Sequence, residues 1–490
     1  MGYFCRLIMA DYSKYEVVVG LEVHAQLLTH SKLFCGDSIA FGAEPNTNVS
    51  PITLGHPGTL PKINKKAIEF AVKMGLACGC EIEKHNYFAR KNYFYPDLPK
   101  GYQVSQHTTP ICKNGSVKIK IAGQEKEIHL TRIHLEEDAG KSIHDVDANN
   151  TCVDYNRAGT PLIEIVSEPD LRSGEEAFAY LTEVRKLVRY LEICDGNMEE
   201  GSLRCDANIS VRIKGETKLG IRVEVKNLNS VRNVKRAIEV ESKRLIDILE
   251  ERGTIIQQTR SFDANASTTF AIRDKEDADD YRYFAEPDLT PFHLQDEFIE
   301  KIRTSIPALP EQRIKDYTTR LQLSEYDAAV LTEERSFADY FENLIQYTTN
   351  YKSAANWMSG PVKTWLNENN KQPEDFPLSA QQLSSLIALV DSGKVSFSIA
   401  SGKIFPQMIT NPSQSAEQIA TEQNLLQESD VSAIGPVIDS VLAKFADKVV
   451  EYKKGKKGLL ALFVGEVMKQ SKGKADPKKT NELLLEKLKS

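Results

Sequence analysis

The chain has 490 residues, 41% of them hydrophobic and 27% charged, with a formal net charge of −7. That supplies cores for about three domains of roughly 150 residues each, and it excludes a protein whose whole surface grips nucleic acid, though not a local basic patch. The eight cysteines, at 5, 35, 78, 80, 112, 152, 194 and 205, form no C-x-x-C pair, which indicates neither a disulfide framework nor a zinc ribbon, and Cys78-Gly-Cys80, the nearest approach to a zinc-ligand pair, reads either as that or as ordinary thiols in a reducing cytosol.

Met1 to Ala10 is apolar but broken by Arg6. It is too short to span a bilayer or to form a signal-peptide core, so the chain reads as cytoplasmic with no membrane contact. Val17 to Leu28 alternates strictly: Val17, Val19, Leu21, Val23, Ala25 and Leu27 share one face, and Glu22, His24 and Gln26 the other, so a half-buried strand should project Glu22 and His24 side by side. A helix is expected from about Lys62 to Gly75. Arg90 to Gln103 interleaves cations, aromatics and prolines, a loop composition suited to a phosphate and a base and equally to simple aromatic packing.

His134 to His144 then concentrates Glu136, Glu137 and Asp138 beside Gly140-Lys141-Ser142. The glycine-lysine-serine is not a phosphate-binding P-loop, since the motif needs a glycine where Leu135 stands. The acids suit either a hard cation such as Mg²⁺ or a solvated turn. In Pro161 to Val166, Glu164 interrupts an apolar run. Ser173 to Glu176 reads as a capping box opening a helix. Ser202 to Ile213 and Ile221 to Lys226 alternate again, with Arg204 and Asp206 on the polar face, and a helix follows from about Val231 to Arg252. Several strands with one apolar and one charged face imply an α+β fold whose mainly antiparallel sheet has a core on one side and a working surface on the other.

Beyond about Pro291 the composition turns helical, with helix starts near Ala308 and Leu323 and a polar linker at 367–377. Lys444 to Lys479 holds eleven lysines against Asp447, Glu451, Glu466 and Asp476, a local net of 11 − 4 = +7. That suits a phosphate backbone, against the alternative of a solvated lysine-rich helix pair. The expected organisation is an N-terminal extension (1–15), a sheet-based cradle (16–300), a helical domain (301–420) and a lysine-rich helical tail (421–490).

Seven segments together closely resemble the B subunit of the glutamyl/aspartyl-tRNA amidotransferase: Gly20 to His24, Arg90 to Asp97, His134 to Ser142, Asn156 to Glu164, Met198 to Asn208, Val225 to Ser230 and Asp279 to Phe284. The resemblance implies an ATP-dependent carbon–nitrogen ligase that phosphorylates the side-chain carboxylate of glutamate or aspartate misacylated onto tRNA(Gln) or tRNA(Asn). Ammonia then displaces the phosphate. It implies a heterotrimer in which an amidase (glutaminase) component makes ammonia from glutamine and a small third component joins the two large ones. By motif, Mg²⁺ is expected on His24, Glu137 and Glu164, with Glu22 and Asp206 as further acids of the site. Lys91 and Arg204 are candidates for the phosphates of ATP, and Lys453, Lys454, Lys456, Lys457, Lys472 and Lys474 for tRNA. The rival readings are a free-standing carboxylate–amine ligase, which needs no lysine-rich tail, and a tRNA-binding scaffold, which needs no acidic site.

Overall fold

The computed structural model describes residues 11–144, 146–147, 149–274, 281–426, 431–471, 475 and 477–489. The expected N-terminal extension lies mostly outside the described residues. Two compact units emerge, Met1–Leu309 and Pro310–Ser490.

The first unit is built on a sheet that is thirteen-stranded among the described residues. Its main elements are β1 (Tyr15–Gln26), α1 (Lys65–Ala77), β2 (Ala89–Asn92), β3 (Tyr102–Ser105), β4 (Gln124–Glu137), β5 (Pro161–Ser167), α2 (Gly174–Tyr190), β6 (Leu203–Ile213), β7 (Val223–Lys226), α3 (Val231–Glu250), β8 (Gln258–Asp263), β9 (Thr268–Asp274) and β10 (Phe284–Ala285). The strand order is β9-β8-β7-β6-β1-β5-β4-β3-β2-β10. β1 lies in the middle, antiparallel to β5 and β6. β7 and β8 run parallel, and α3 supplies the crossover that a parallel pair requires.

The alternation of β1 works as read. Val19, Leu21, Val23 and Ala25 are fully buried, in one core with Ala71 and Met74 of α1, Leu181 and Val184 of α2, and Ala237 and Leu245 of α3. Each Val or Leu so buried contributes about 1.5–3 kcal/mol, so the apolar face holds the sheet in one orientation and leaves the polar face open. α1 starts three residues later than the pattern suggests, because the N–H groups of Lys62 and Asn64 are taken by the carbonyls of Phe34 and Leu33 (2.8 and 2.7 Å). The Asn64 side chain then caps Lys66. At α2 only half of the expected capping box forms. The Ser173 hydroxyl accepts from the Glu176 N–H at 3.1 Å, while the Glu176 carboxylate accepts from the Arg172 N–H and Lys126 Nζ, both at 2.7 Å. The carboxylate is thus taken by the preceding backbone N–H and a nearby lysine instead of the Ser173 N–H.

The second unit is helical, with one core spanning Tyr317 to Leu425 and another spanning Ile434 to Leu488. The segment 367–377 is not a linker. Asn367–Asn369 ends a helix that begins at Lys363, Asn370 takes a left-handed conformation, and Phe376 packs against Tyr340, Trp365 and Phe405. The polar residues before it conceal this, since one buried aromatic outweighs them energetically. Among the described residues no helix is long and apolar enough to cross a membrane. Phe376→Ala should therefore cost about 3–5 kcal/mol in urea unfolding of the helical unit, and a change under ~0.5 kcal/mol, the range of surface substitutions, would show that the segment is a linker after all.

Candidate active site

The antiparallel register sets the open face of the sheet in rows. Arg204 on β6 faces His24 on β1, which faces Glu164 on β5, which faces His134 on β4. In the adjacent row Asp206 faces Glu22. His24 Nε2 lies 3.4 Å from Glu164 Oε2 and 3.8 Å from Glu136 Oε1, and His134 Nε2 lies 3.4 Å from the same Glu164 oxygen. Ligand atoms of His24, Glu136 and Glu164 all fall within 4.8 Å of one another, as do those of Glu22, Asp206 and Glu224. Both groups line a cavity of ≈ 740 Å³, together with Lys91, Arg132, Lys141, Arg204 and Lys226.

The three consecutive acids are not a solvated turn. All are buried at the end of β4, and strand alternation sends them in different directions. Glu136 enters the cavity. Glu137, expected from the resemblance as a ligand beside His24 and Glu164, instead lies with Ile133 and Leu135 on the opposite face. It receives Lys100 Nζ at 2.7 Å and the Val104 N–H at 2.8 Å, so the carboxylate that the structure brings beside His24 and Glu164 is that of Glu136, not Glu137. The signal was in the sequence: Ile133-His134-Leu135-Glu136 alternates, which sets the phase and puts Glu136 on the face of His134. Asp138 takes Arg204 Nη2 at 2.8 Å and Gln26 Nε2 at 2.6 Å. Gly140 belongs to this turn through close approach, because a Cβ there would lie 2.8 Å from the Asp154 carbonyl and 3.0 Å from that of Asp97.

Burial pulls the His24 imidazole towards neutrality, but the hydrogen bond and charge of Glu164 and the charge of Glu136 outweigh it and raise its pKa to about 9. Burial likewise opposes the ionised Glu164, yet His134 and His24 hold it well below the usual carboxylate range. Glu22 goes the other way: burial first, then Glu164, Glu224 and Asp206, push its pKa up. Glu137 is also raised by burial, in spite of Lys100. The open face is therefore short of positive charge. One imidazole and two carboxylates fit a divalent cation, by donor type and by convergence of their ligand atoms.

The remaining expected residues divide. Lys91 lines the cavity, its ammonium 5.0 Å from the Tyr281 ring centre. Burial would strip its charge, but the carboxylates of Glu136 and Glu164 keep it protonated. Arg204 lines the cavity too but is committed to Asp138. Asp206 pairs with Lys226. Arg90 leaves the site for Glu286 and Asp288, so β2 contributes Lys91 alone of its two cations. Lys453, Lys454, Lys456 and Lys457 are exposed in the second unit, Lys456 pairing with Glu451 and Lys457 lying over Tyr452. Lys472 and Lys474 lie outside the described residues. Glu224 and Arg132 are cavity residues that the sequence pattern alone does not single out as a site, and His134 and Glu136 are visible there only as members of the acidic stretch.

An open sheet with a buried apolar face, a recessed polar face and two clusters of groups able to ligate a metal has the form of a catalytic cradle, here on a chain that also carries helical modules. Residues 17–300 match the family described as the GatB/GatE catalytic domain, and residues 339–488 match the GatB domain. The B subunit of the aspartyl/glutamyl-tRNA(Asn/Gln) amidotransferase from Geotalea uraniireducens is 51% identical over 478 residues, covering 97% of this chain and 99% of that protein. The B subunits of the same enzyme from Thermodesulfovibrio yellowstonii and Bdellovibrio bacteriovorus are each 48% identical over 476 residues, covering 97% of this chain and 100% and 99% of theirs. The chain belongs to this family of amidotransferase B subunits.

The cluster geometry sets two expectations. Glu136→Gln should weaken Mn²⁺ binding at least roughly tenfold by removing a ligand, whereas Glu137→Gln should leave binding intact and destabilise the fold by about 3–5 kcal/mol, because it strands Lys100 in the interior. The reverse pattern, in calorimetric titration and urea unfolding, would restore Glu137 as the ligand. The second concerns pH. His24 is raised to about 9, so in the cation-free protein it is protonated at neutral pH, and a metal must displace that proton. Apparent Mn²⁺ affinity should rise about tenfold per pH unit between pH 6.5 and 9 and flatten above. A profile flat below pH 8 would place the metal away from His24.

Proposed function

We propose that this chain activates and amidates the side-chain carboxylate of misacylated Glu-tRNA(Gln), Asp-tRNA(Asn) or both, consuming ATP and giving Gln-tRNA(Gln) or Asn-tRNA(Asn) for translation in the cytoplasm. The observation that carries the reading is the convergence of His24, Glu136 and Glu164 on one recessed sheet face. A carboxylate is a weak nucleophile towards ATP and is repelled by its phosphates, so the site must offset negative charge and align the attack. Mg²⁺, with His24, Glu136 and Glu164 as its holders, would supply that neutralisation.

The chain's own residues do the rest. Lys91 keeps a positive charge inside the cavity and suits the oxygens of the transferring phosphoryl group. Asp138 fixes Arg204 at the other side, and Arg157, which donates to the carbonyls of Ala139 and Gly140, holds the turn that follows Asp138. The recessed face shields a water-sensitive acyl phosphate until ammonia displaces phosphate from it. Ammonia must come from elsewhere, because the chain has no motif for amide hydrolysis. Its thiols at Cys78, Cys80, Cys112, Cys194 and Cys205 are buried, and burial raises their pKa far from the thiolate form a nucleophile needs. A glutaminase partner and a small third component completing a heterotrimer answer that need, and the names of the relatives, which mark each as one component of a larger enzyme, support it. The exposed lysines of the last helical module suit the tRNA backbone.

With ATP, Mg²⁺ and Glu-tRNA(Gln), the purified chain should form Gln-tRNA(Gln) from ammonium chloride and not from glutamine, and glutamine should serve once the amidase partner is added. Glutamine-driven amidation by the chain alone, read by releasing and analysing the amino acid, would overturn this division of labour.

A further inference from the structure

At the β4 side of the cavity stand groups that the scheme above leaves unused. Arg132, in register with Val166, lies on the same face as His134 and Glu136 and three strands from Asp206. It lines the cavity, its Nε is buried without a hydrogen-bond partner, and among the described residues no carboxylate pairs with its guanidinium. A buried donor left unmade costs free energy comparable to a hydrogen bond, so a guanidinium with spare donors at the wall of a polar cavity is poised for an anion.

Beside it His107 and Tyr283 are stacked, ring centres 4.0 Å apart and planes within 10°, and both line the same cavity. Burial and the nearby charge of Arg132 hold the His107 imidazole below its ordinary range, so the ring is neutral at physiological pH, while burial keeps the Tyr283 phenol protonated. Tyr281 meets Tyr283 edge-on at 6.1 Å and Tyr93 at 5.9 Å, extending the aromatic wall. A flat, uncharged aromatic pair next to an unpaired guanidinium matches a ligand that carries both a planar base and a phosphate.

We propose that Arg132 and the stacked His107–Tyr283 pair form an adenosine-phosphate subsite, the base stacking on the aromatic pair and a phosphate oxygen accepting from Arg132. The proposal rests on the function argued above, in which two substrates bring that chemistry: ATP, and the 3′-terminal adenosine of the aminoacyl-tRNA with its 5′-phosphodiester. The two sources are separable by kinetics.

The assembled amidotransferase is assayed with Tyr283→Ala, Tyr283→Phe and Arg132→Ala, varying ATP and Glu-tRNA(Gln) in turn. Tyr283→Ala and Arg132→Ala should each raise KM for the same one of the two substrates by roughly tenfold or more with a smaller change in kcat, and Tyr283→Phe, which keeps the π face, should stay within about twofold of wild type. A rise for ATP assigns the subsite to the nucleotide, and a rise for the aminoacyl-tRNA assigns it to the terminal adenosine. If Tyr283→Ala does not assemble, Tyr283→Leu, apolar but without a π face, replaces it with the same expected loss. Unchanged KM values for both substrates, losses falling on different substrates, or Tyr283→Phe as impaired as Tyr283→Ala would each overturn the subsite. A wild-type complex that amidates normally beside unaffected variants rejects this inference alone, whereas a wild-type complex with no ATP-dependent amidation rejects the function it rests on.

Discussion

The antiparallel register of β4, β5, β1 and β6 is the constraint on which the rest of the site depends. Side chains alternate with a period of two, so a slip of one residue in any of these strands would exchange its buried face for its polar one. The slip is forbidden by Val19, Leu21, Val23 and Ala25 on β1 and by Leu203, Ala207 and Ile209 on β6, all fully buried. At about 1.5–3 kcal/mol for each large apolar side chain, turning either strand over would cost a large part of the roughly 5–15 kcal/mol that holds a whole domain folded. The apolar face thus fixes, without touching them, which acids and histidines meet on the other side.

What meets there is an excess of carboxylates, and the fold distributes counter-charges unevenly among them. Asp138 has Arg204, Asp206 has Lys226, and Glu137 has Lys100 on the far face. Glu136 and Glu164 share His24, whose raised pKa reports how strongly that region attracts a positive charge. Glu22 accepts from an amide, Asn208 Nδ2 at 2.8 Å, and its raised pKa shows the same shortage. A cradle built in this way prefers cationic ligands at the middle of its face, while Lys91, Lys141 and Arg132 favour anions around it.

Much of this is legible in the residues. The alternation in β1 and β6 exposes Glu22, His24, Arg204 and Asp206 as one polar face, and the apolar neighbours of Glu164 mark it as a buried acid in need of a partner. The choice between Glu136 and Glu137 is harder, because three acids in a row conceal a period of two, and only the phase set by Ile133 and Leu135 resolves it. Arg132 does not stand out, since a lone arginine on a strand carries no signal until its cross-strand neighbours are known, and His134 shows only as the flank of the acidic stretch. Glu224 is hidden for the same reason: it reaches Glu22 and Asp206 only through the pairing of β7 with β6. Phe376 is masked by the polar residues before it. Local pattern gives each strand its faces, and the pairing between distant strands decides which faces touch.

The most direct test of the account is pulsed electron paramagnetic resonance of Mn²⁺ bound to the protein. If the register brings His24 together with Glu136 and Glu164 around the cation, the spectrum should show the hyperfine coupling of one histidine nitrogen, and that coupling should disappear in His24→Ala. A bound ion with no nitrogen coupling, or a coupling that survives in His24→Ala, would contradict it.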